Sequence, residues 1–132
     1  MENLSGHAAF DEMEKVANEF FGAIERADID AVEALYAPDV EVWINLTGRS
    51  QGRAQSVKLL RSFTSRIRNL AYDVEQREPI HGGFVQRHVL RGELASGEKL
   101  AVPVCLVVYV EDGRITRLYE YLDSVAIAPV FA

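Results

Sequence analysis

The chain has 132 residues, of which 48% are hydrophobic and 26% charged, and its formal net charge is −6. These values suit a single globular domain over residues 1–132, in which we expect residues 1–9 to form an N-terminal arm. The acidic balance argues against a nucleic-acid partner, because binding phosphates requires a basic patch. No apolar stretch is long enough to span a bilayer, so we expect no membrane partner.

Cysteine and histidine usage argues against a metal site. The single cysteine, Cys105, allows neither a disulfide within the chain nor a cluster of thiolate ligands. The three histidines, His7, His81 and His88, lack the spacing of metal ligands. The N-terminal residues do not follow the pattern of a signal peptide, which favours a cytoplasmic location.

The first half of the chain has mainly helical periodicity. Apolar residues recur at helical spacing over residues 10–26 and again over residues 53–70. Between them, a short helix begins near Asp28, with Asp30 as its expected N-cap, and ends at Pro38. Residues 40–46 then alternate as a strand.

From residue 71 onward the period is that of strands. We expect strands at 72–79, 84–94, 99–111 and 114–127, the last two joined by the hairpin signal Asp112-Gly113. Three helices segregated from an antiparallel sheet predict an α+β domain. Because long sheets coil, helices packed on the concave face would close a cone with an apolar interior.

Four short motifs on these elements resemble the NTF2-like superfamily: YAPDVEVWIN at 36–45, GR at 52–53, DGRI at 112–115 and YEYLD at 119–123. Within it, the chain is most similar to the SnoaL-like polyketide cyclases and the limonene epoxide hydrolases. The resemblance implies an NTF2-like (cystatin-like) cone around a deep apolar pocket. It also implies acid–base side chains without a cofactor, and a homodimer packed through the β-sheet. It does not name a reaction, because this fold hosts many enzymes and also non-catalytic binders.

Two carboxylates on the last strand are candidates for proton transfer. In the epoxide hydrolases a catalytic carboxylate lies three residues before the aspartate that ends the last motif, and Glu120 matches that position. Leu118 and Leu122 flank it, so desolvation would raise its pKa. An aspartate near Asp123 is the acid–base group of SnoaL-like cyclases, but here a bulge would be needed to turn Asp123 to the same face. The alternatives are a Glu120 ion pair at a dimer interface and a structural Asp123.

His88 is the facing candidate, on the predicted strand 84–94. The epoxide hydrolases carry an arginine, a spacer and an aspartate here, whereas this chain reads Arg87-His88-Val89. If the alignment with that family has one gap in the preceding turn, Gln86 takes the place of the arginine and His88 that of the aspartate. Without the gap, Val89 takes the place of the aspartate. Either way the Arg–Asp pair is broken. We hypothesise that His88 is a general acid or base, the alternative being a structural histidine.

The first strand offers a third set of candidates. Limonene epoxide hydrolases use a Tyr-x-Asn pair there to orient water, and this chain has Trp43-Ile44-Asn45. We therefore expect Asn45 to hold a water or a substrate oxygen and Trp43 to form an aromatic wall. The base of the ketosteroid isomerase pattern falls at or near Ile44, which argues against that mechanism. Other expected wall residues are Phe20, Phe21, Tyr36, Leu60, Phe63, Val104, Leu106 and Leu118.

These candidates lead to one main functional hypothesis and two alternatives. The main one is a cofactor-independent isomerase, dehydratase, cyclase or lyase acting on a hydrophobic, oxygenated cyclic or aromatic small molecule. Its polar groups would be His88, Glu120 or Asp123, and Asn45. The alternatives are an epoxide hydrolase with an altered triad and a non-catalytic module for ligand binding or dimerisation.

Overall fold

The computed structural model describes the backbone of residues 2–132 and the side chains of residues 10–132. The elements in chain order are α1 (Glu2–Glu25), α2 (Ile29–Leu35), β1 (Tyr36–Ile44), β2 (Ser50–Gln51), α3 (Arg53–Ser65), β3 (Arg68–Ile80), β4 (Gly83–Glu93), β5 (Lys99–Glu111), β6 (Arg114–Leu122) and α4 (Ser124–Ile127), followed by a 3-10 turn at Ala128–Phe131. No helix within residues 2–132 is both long and apolar enough to cross a membrane.

The six strands form one open sheet in the order β2-β1-β6-β5-β4-β3. Strands β3 to β6 make the predicted antiparallel meander, and β1 pairs in parallel with β6. The Asp112-Gly113 hairpin is confirmed, since both residues have positive φ, at 52° and 75°. This turn brings β6 back beside β5, so that Glu120 lies in the middle of the sheet.

The core lies between one face of this sheet and the helices. Alternate residues of β5 from Leu100 to Val110 are buried, as the period of a strand requires. The apolar stripe of α1, including Phe20 and Phe21, covers that face, and α3 packs against β1. The buried stripe of α1 and the inner face of the meander thus make the two walls of the core.

Several boundaries differ from the sequence predictions, beginning with the N-terminal arm. Residues 2–9 continue α1, while Met1 and the side chain of His7 lie outside the described part of the chain. The N-cap of α2 is Asp28, whose carboxylate accepts from the backbone N–H of Ala31, whereas Asp30 pairs with Arg61 at 2.6 Å. Proline was expected to end α2, but Pro38 lies inside β1. It falls where the β1–β6 register shifts, so the missing N–H does not interrupt the regular ladder.

The observed ends of α3 and β6 differ more from their predicted positions. Helix α3 stops at Ser65, where the Thr64 and Ser65 hydroxyls bond to helix carbonyls, and Asn69, with a positive φ of 54°, already belongs to β3. The last strand ends at Leu122 rather than at residue 127, and Asp123 begins α4. The chain after Leu122 therefore turns back over the sheet as a helix.

Candidate functional site

A cavity lies between the sheet and the helices. Its non-atom space is about 820 Å³, including the part open to solvent at its mouth. Among residues 10–132, the lining side chains that carry polar atoms are those of Tyr36, Ser56, Tyr72, His88 and Glu120. The predicted wall residues Phe20, Phe21, Tyr36, Leu60, Phe63, Leu106 and Leu118 are all among the lining residues. Val104 is buried but does not line this cavity.

Glu120 projects from the middle of the sheet into the cavity. Its partners on the adjacent strands are Ile44 and Leu106, and Leu118 and Leu122 flank it along β6. Among residues 10–132 no basic side chain forms an ion pair with it. Burial against these hydrocarbons raises the pKa of Glu120 from 4.5 to about 7. At neutral pH the carboxyl is therefore poised between its acid and base forms.

His88 is almost fully buried, at 1% exposure, and shares the cavity with Glu120. Its ring meets the edges of Phe21 and Tyr72, with centroids 5.7 and 4.9 Å away. Burial, and secondly the positive charge of Arg77, lowers the pKa of His88 from 6.5 to about 4. The imidazole is therefore neutral at pH 7, and Glu120 is the better proton acceptor of the two.

A polar chain leads from His88 back to α1. Gln86 Nε2 lies 2.9 Å from His88 Nδ1, and Arg77 Nε donates to Gln86 Oε1 at 2.7 Å. Arg77 Nη1 in turn lies 2.6 Å from Glu14 Oε1 and 3.0 Å from Asn18 Oδ1. The Arg77 guanidinium thus joins the buried end of β4 to the outer part of α1.

Arg77 was not identified from the sequence, because a β-bulge in β3 changes the face of the sheet to which this side chain points. Strict alternation from Tyr72 would turn Arg77 to the outer face of the sheet. The β3–β4 register shifts between Val74 and Gln76, which brings Arg77 opposite Gln86. Nothing in the local sequence of β3 signals this extra residue.

Two phenols, Tyr36 and Tyr72, also line the cavity. Burial and the nearby Glu120 carboxyl raise the pKa of Tyr36 and the pKa of Tyr72 well above 10, so both remain protonated. Neutral phenols can donate or accept a hydrogen bond. Tyr36 was predicted as a wall residue, whereas Tyr72 was not identified, because the predicted strand 72–79 that it begins has weak apolar alternation.

Trp43 and Asn45 do not face the cavity, contrary to the prediction. Val42 and Ile44 line it instead, because successive strand residues point to opposite faces. Asn45 Nδ2 donates to the Leu122 carbonyl at 3.0 Å, and Leu122 N donates to Asn45 Oδ1 at 3.2 Å. The amide thus fastens β1 to β6, while Trp43 packs on Tyr121 with centroids 5.1 Å apart.

Asp123 is likewise outside the cavity. Its Oδ1 accepts from the backbone N–H groups of Val125 and Ala126, each at 3.0 Å. It is the N-cap of α4, which corresponds to the structural alternative given for it above. Ile127 and Phe131, which follow it, line the cavity. Asp123 therefore contributes to the site only by holding the segment that covers it.

Comparison with known proteins identifies the family. A model of the SnoaL-like domain matches residues 17–118. The chain belongs to the SnoaL-like family. No curated protein matches it at a significant level.

Solved structures share the fold of this SnoaL-like protein at low sequence identity. A LEH-like epoxide hydrolase of M. tuberculosis superposes with a TM-score of 0.76 and 21% identity, covering 91% of this chain and 89% of that one. IdmH of Streptomyces antibioticus, a candidate polyketide cyclase, superposes with a TM-score of 0.78 and 16% identity, covering 89% and 96%. PrhC of Penicillium brasilianum gives 0.80 and 12%, covering 91% and 85%. These likenesses show an NTF2-like fold and leave the reaction to be argued from the site.

Proposed function

We propose that this SnoaL-like protein is a cofactor-independent acid–base enzyme acting on a hydrophobic, oxygen-containing cyclic or aromatic small molecule. The observation that carries the proposal is Glu120, a carboxyl with a pKa of about 7 and no ion-pair partner among residues 10–132, in a hydrocarbon cavity. Perturbed groups in clefts concentrate at functional sites. A structural carboxyl would instead be expected to have a partner that repays its burial.

The chemistry follows from the titration of that group. A carboxyl that titrates near the working pH can take a proton from the substrate and return it at another position. Isomerisation, dehydration, cyclisation and lyase reactions all need such a group. His88, with a pKa of about 4, is a weak base at neutral pH, so in this proposal it contacts the substrate without taking its proton.

The lining supports the proposed class of substrate. Aromatic and aliphatic side chains favour a ring system, and the few polar groups, Tyr36, Tyr72 and His88, favour one that carries oxygen. The epoxide-hydrolase alternative has less support, because Asn45, which would orient the water, is bonded at both ends of its amide to Leu122. It predicts incorporation of labelled water oxygen into a diol.

The test is a conversion assay on a panel of cyclic enones, β-hydroxy ketones and epoxides, followed by mass spectrometry and NMR. For any compound that is converted, Glu120→Gln should reduce turnover by roughly 10²–10⁴-fold, the usual contribution of one acid–base group. Glu41→Gln, a change of the same kind at an exposed position of β1, should leave it unaltered. Full turnover by Glu120→Gln would contradict the proposal, and binding without conversion would favour the non-catalytic alternative.

We also propose a homodimer through the outer face of the sheet. Support comes from Tyr121, which is 50% exposed there beside the partly buried Trp43. Exposed aromatic side chains are enriched at interfaces between proteins. This proposal is independent of the catalytic one.

A further inference from the structure

The protonation state of His88 follows from the donors and acceptors that surround it. The Arg77 guanidinium has only donors, so the Gln86 atom that it contacts at 2.7 Å must be the carbonyl oxygen. This fixes the Gln86 amide with its NH₂ group toward His88. The 2.9 Å contact to His88 Nδ1 is then a hydrogen bond that Nδ1 accepts. A neutral imidazole that accepts at Nδ1 carries its proton on Nε2.

Arg77 is itself held in place from several sides. Its guanidinium pairs with Glu14. The guanidinium carbon also lies 5.9 Å from the Phe21 ring centroid and 6.0 Å from the Phe84 ring centroid. Only 12% of its side chain is exposed. The amide orientation of Gln86, and through it the tautomer of His88, therefore depends on a side chain that the β3 bulge and α1 position together.

The remaining nitrogen of His88 has no hydrogen-bond partner among residues 10–132. Among the described residues only two buried side-chain polar atoms lack a hydrogen bond, His88 Nε2 and Ser56 Oγ, and both residues line the cavity. An unsatisfied buried donor is costly unless a ligand or a water supplies the acceptor. With no lone pair at Nε2 and the one at Nδ1 occupied, His88 can offer the cavity a donor only.

We propose that Arg77 and Gln86 are positioning residues that hold His88 as the Nε2–H tautomer, so that His88 binds the carbonyl oxygen of a cyclic or aromatic ketone. The inference rests on the proposed function for the part played by Glu120. The Glu120 carboxylate removes a proton from the carbon next to the carbonyl, and the C–H pair becomes a C=C bond. The carbonyl π pair moves to the oxygen, to which His88 Nε2–H donates. Glu120 then returns the proton to carbon.

Long-range ¹H–¹⁵N NMR of the three histidines tests the tautomer without any substrate. His88→Gln assigns the His88 signals. Wild type at neutral pH should show a protonated Nε2 and an unprotonated Nδ1. Gln86→Glu offers an acceptor in place of the donor, so Nδ1 should become protonated. Arg91→Met is a control, because it removes an arginine of β4 that pairs with the exposed Asp73 outside this chain of contacts, and it should leave the spectrum unchanged.

Two NMR results would overturn the inference: a protonated Nδ1 in wild type, or an unprotonated Nδ1 in folded Gln86→Glu. The carbonyl class is tested with ¹³C-carbonyl 2-acetylnaphthalene, whose stretching frequency should be lower when bound to wild type than to His88→Phe. A probe that does not bind, or that gives equal frequencies, contradicts the substrate class. If Glu120→Gln keeps full turnover while the Nε2–H state is found, the proposed function fails and the positioning role stands.

Discussion

Glu120 and His88 are titratable side chains placed against hydrocarbon, and burial favours the neutral form of each. The pKa of the carboxyl rises to about 7 and the pKa of the imidazole falls to about 4. The order of the two values is thus inverted relative to water, where the imidazole is the stronger base. This inversion makes Glu120 the better proton acceptor of the two at neutral pH and leaves the His88 imidazole neutral.

The inversion predicts opposite effects of the two residues on stability. The pKa of Glu120 is raised on folding, so its contribution is present below pH 4.5 and is lost as pH rises through 7. The pKa of His88 is lowered, so its contribution is present above pH 6.5 and is lost as pH falls through about 4. Each shift corresponds to about 3 kcal/mol, so the two slopes oppose one another between pH 4.5 and 6.5.

Urea unfolding from pH 4 to 8 measures this balance. Relative to wild type, Glu120→Gln should gain stability as pH rises from 4.5 to 7, by up to about 3 kcal/mol. His88→Gln should gain relative stability as pH falls from 6.5 to 4. Differences that stay constant with pH would mean that neither group is perturbed as described.

At this scale the sequence predicted part of the site. The family motifs indicated Glu120 and His88, and the structure places both at the cavity, because β6 and β4 are regular strands there. The same reasoning misassigned Trp43 and Asn45, since the family pattern was given more weight than the burial of Val40 and Val42 on the opposite face. The position of Arg77 opposite Gln86 could not be predicted, because no residue type marks the bulge that changes the face to which its side chain points.

At the scale of elements, the segment after β6 decides how the cavity is covered. The last strand was predicted to extend to residue 127. Instead, the Asp123 side chain accepts hydrogen bonds from two backbone N–H groups and begins a helix. A cap of this kind competes with strand continuation through local hydrogen bonds. Regular strands such as Lys99–Glu111 were predicted with their bounds, whereas points where a side chain bonds its own backbone were not.

Two substitutions separate capping from catalysis at Asp123. Asp123→Ala removes the cap and should lower the free energy of unfolding by about 1 kcal/mol. Asp123→Asn keeps a capping oxygen and removes the charge, so both stability and turnover should stay near wild type. Chemical denaturation and the conversion assay check this. A large loss of turnover in folded Asp123→Asn would make Asp123 an acid–base group after all.

At the scale of the whole molecule, the two faces of the sheet differ in what covers them. The inner face carries the cavity and is covered by α1, α3 and the segment after β6, while the outer face presents Tyr121 beside Trp43. The order of helices and strands predicted the α+β architecture, because hydrophobic periodicity in the sequence distinguishes the two kinds of element. Which side chains lie on each face depends on local details that the order of helices and strands does not determine.

The proposed dimer gives a test at this scale. Tyr121→Glu places a charge in the exposed aromatic pair and should weaken self-association at least tenfold, since an unpaired buried charge costs more than 1.4 kcal/mol. Val74→Glu, at an exposed valine of β3, is the control and should leave self-association unchanged. Sedimentation velocity over a concentration series measures both. Wild type that is monomeric at all concentrations would refute the dimer.

The proposed acid–base function depends most directly on the pKa of the Glu120 carboxyl. The measurement is a ¹³C NMR titration of the Glu120 side-chain carboxyl, assigned by its loss in Glu120→Gln. A midpoint near 7 is the predicted result, as burial in the cavity requires. A midpoint near 4.5 would mean that Glu120 is an ordinary solvated glutamate, and the acid–base function proposed for this cavity would be wrong.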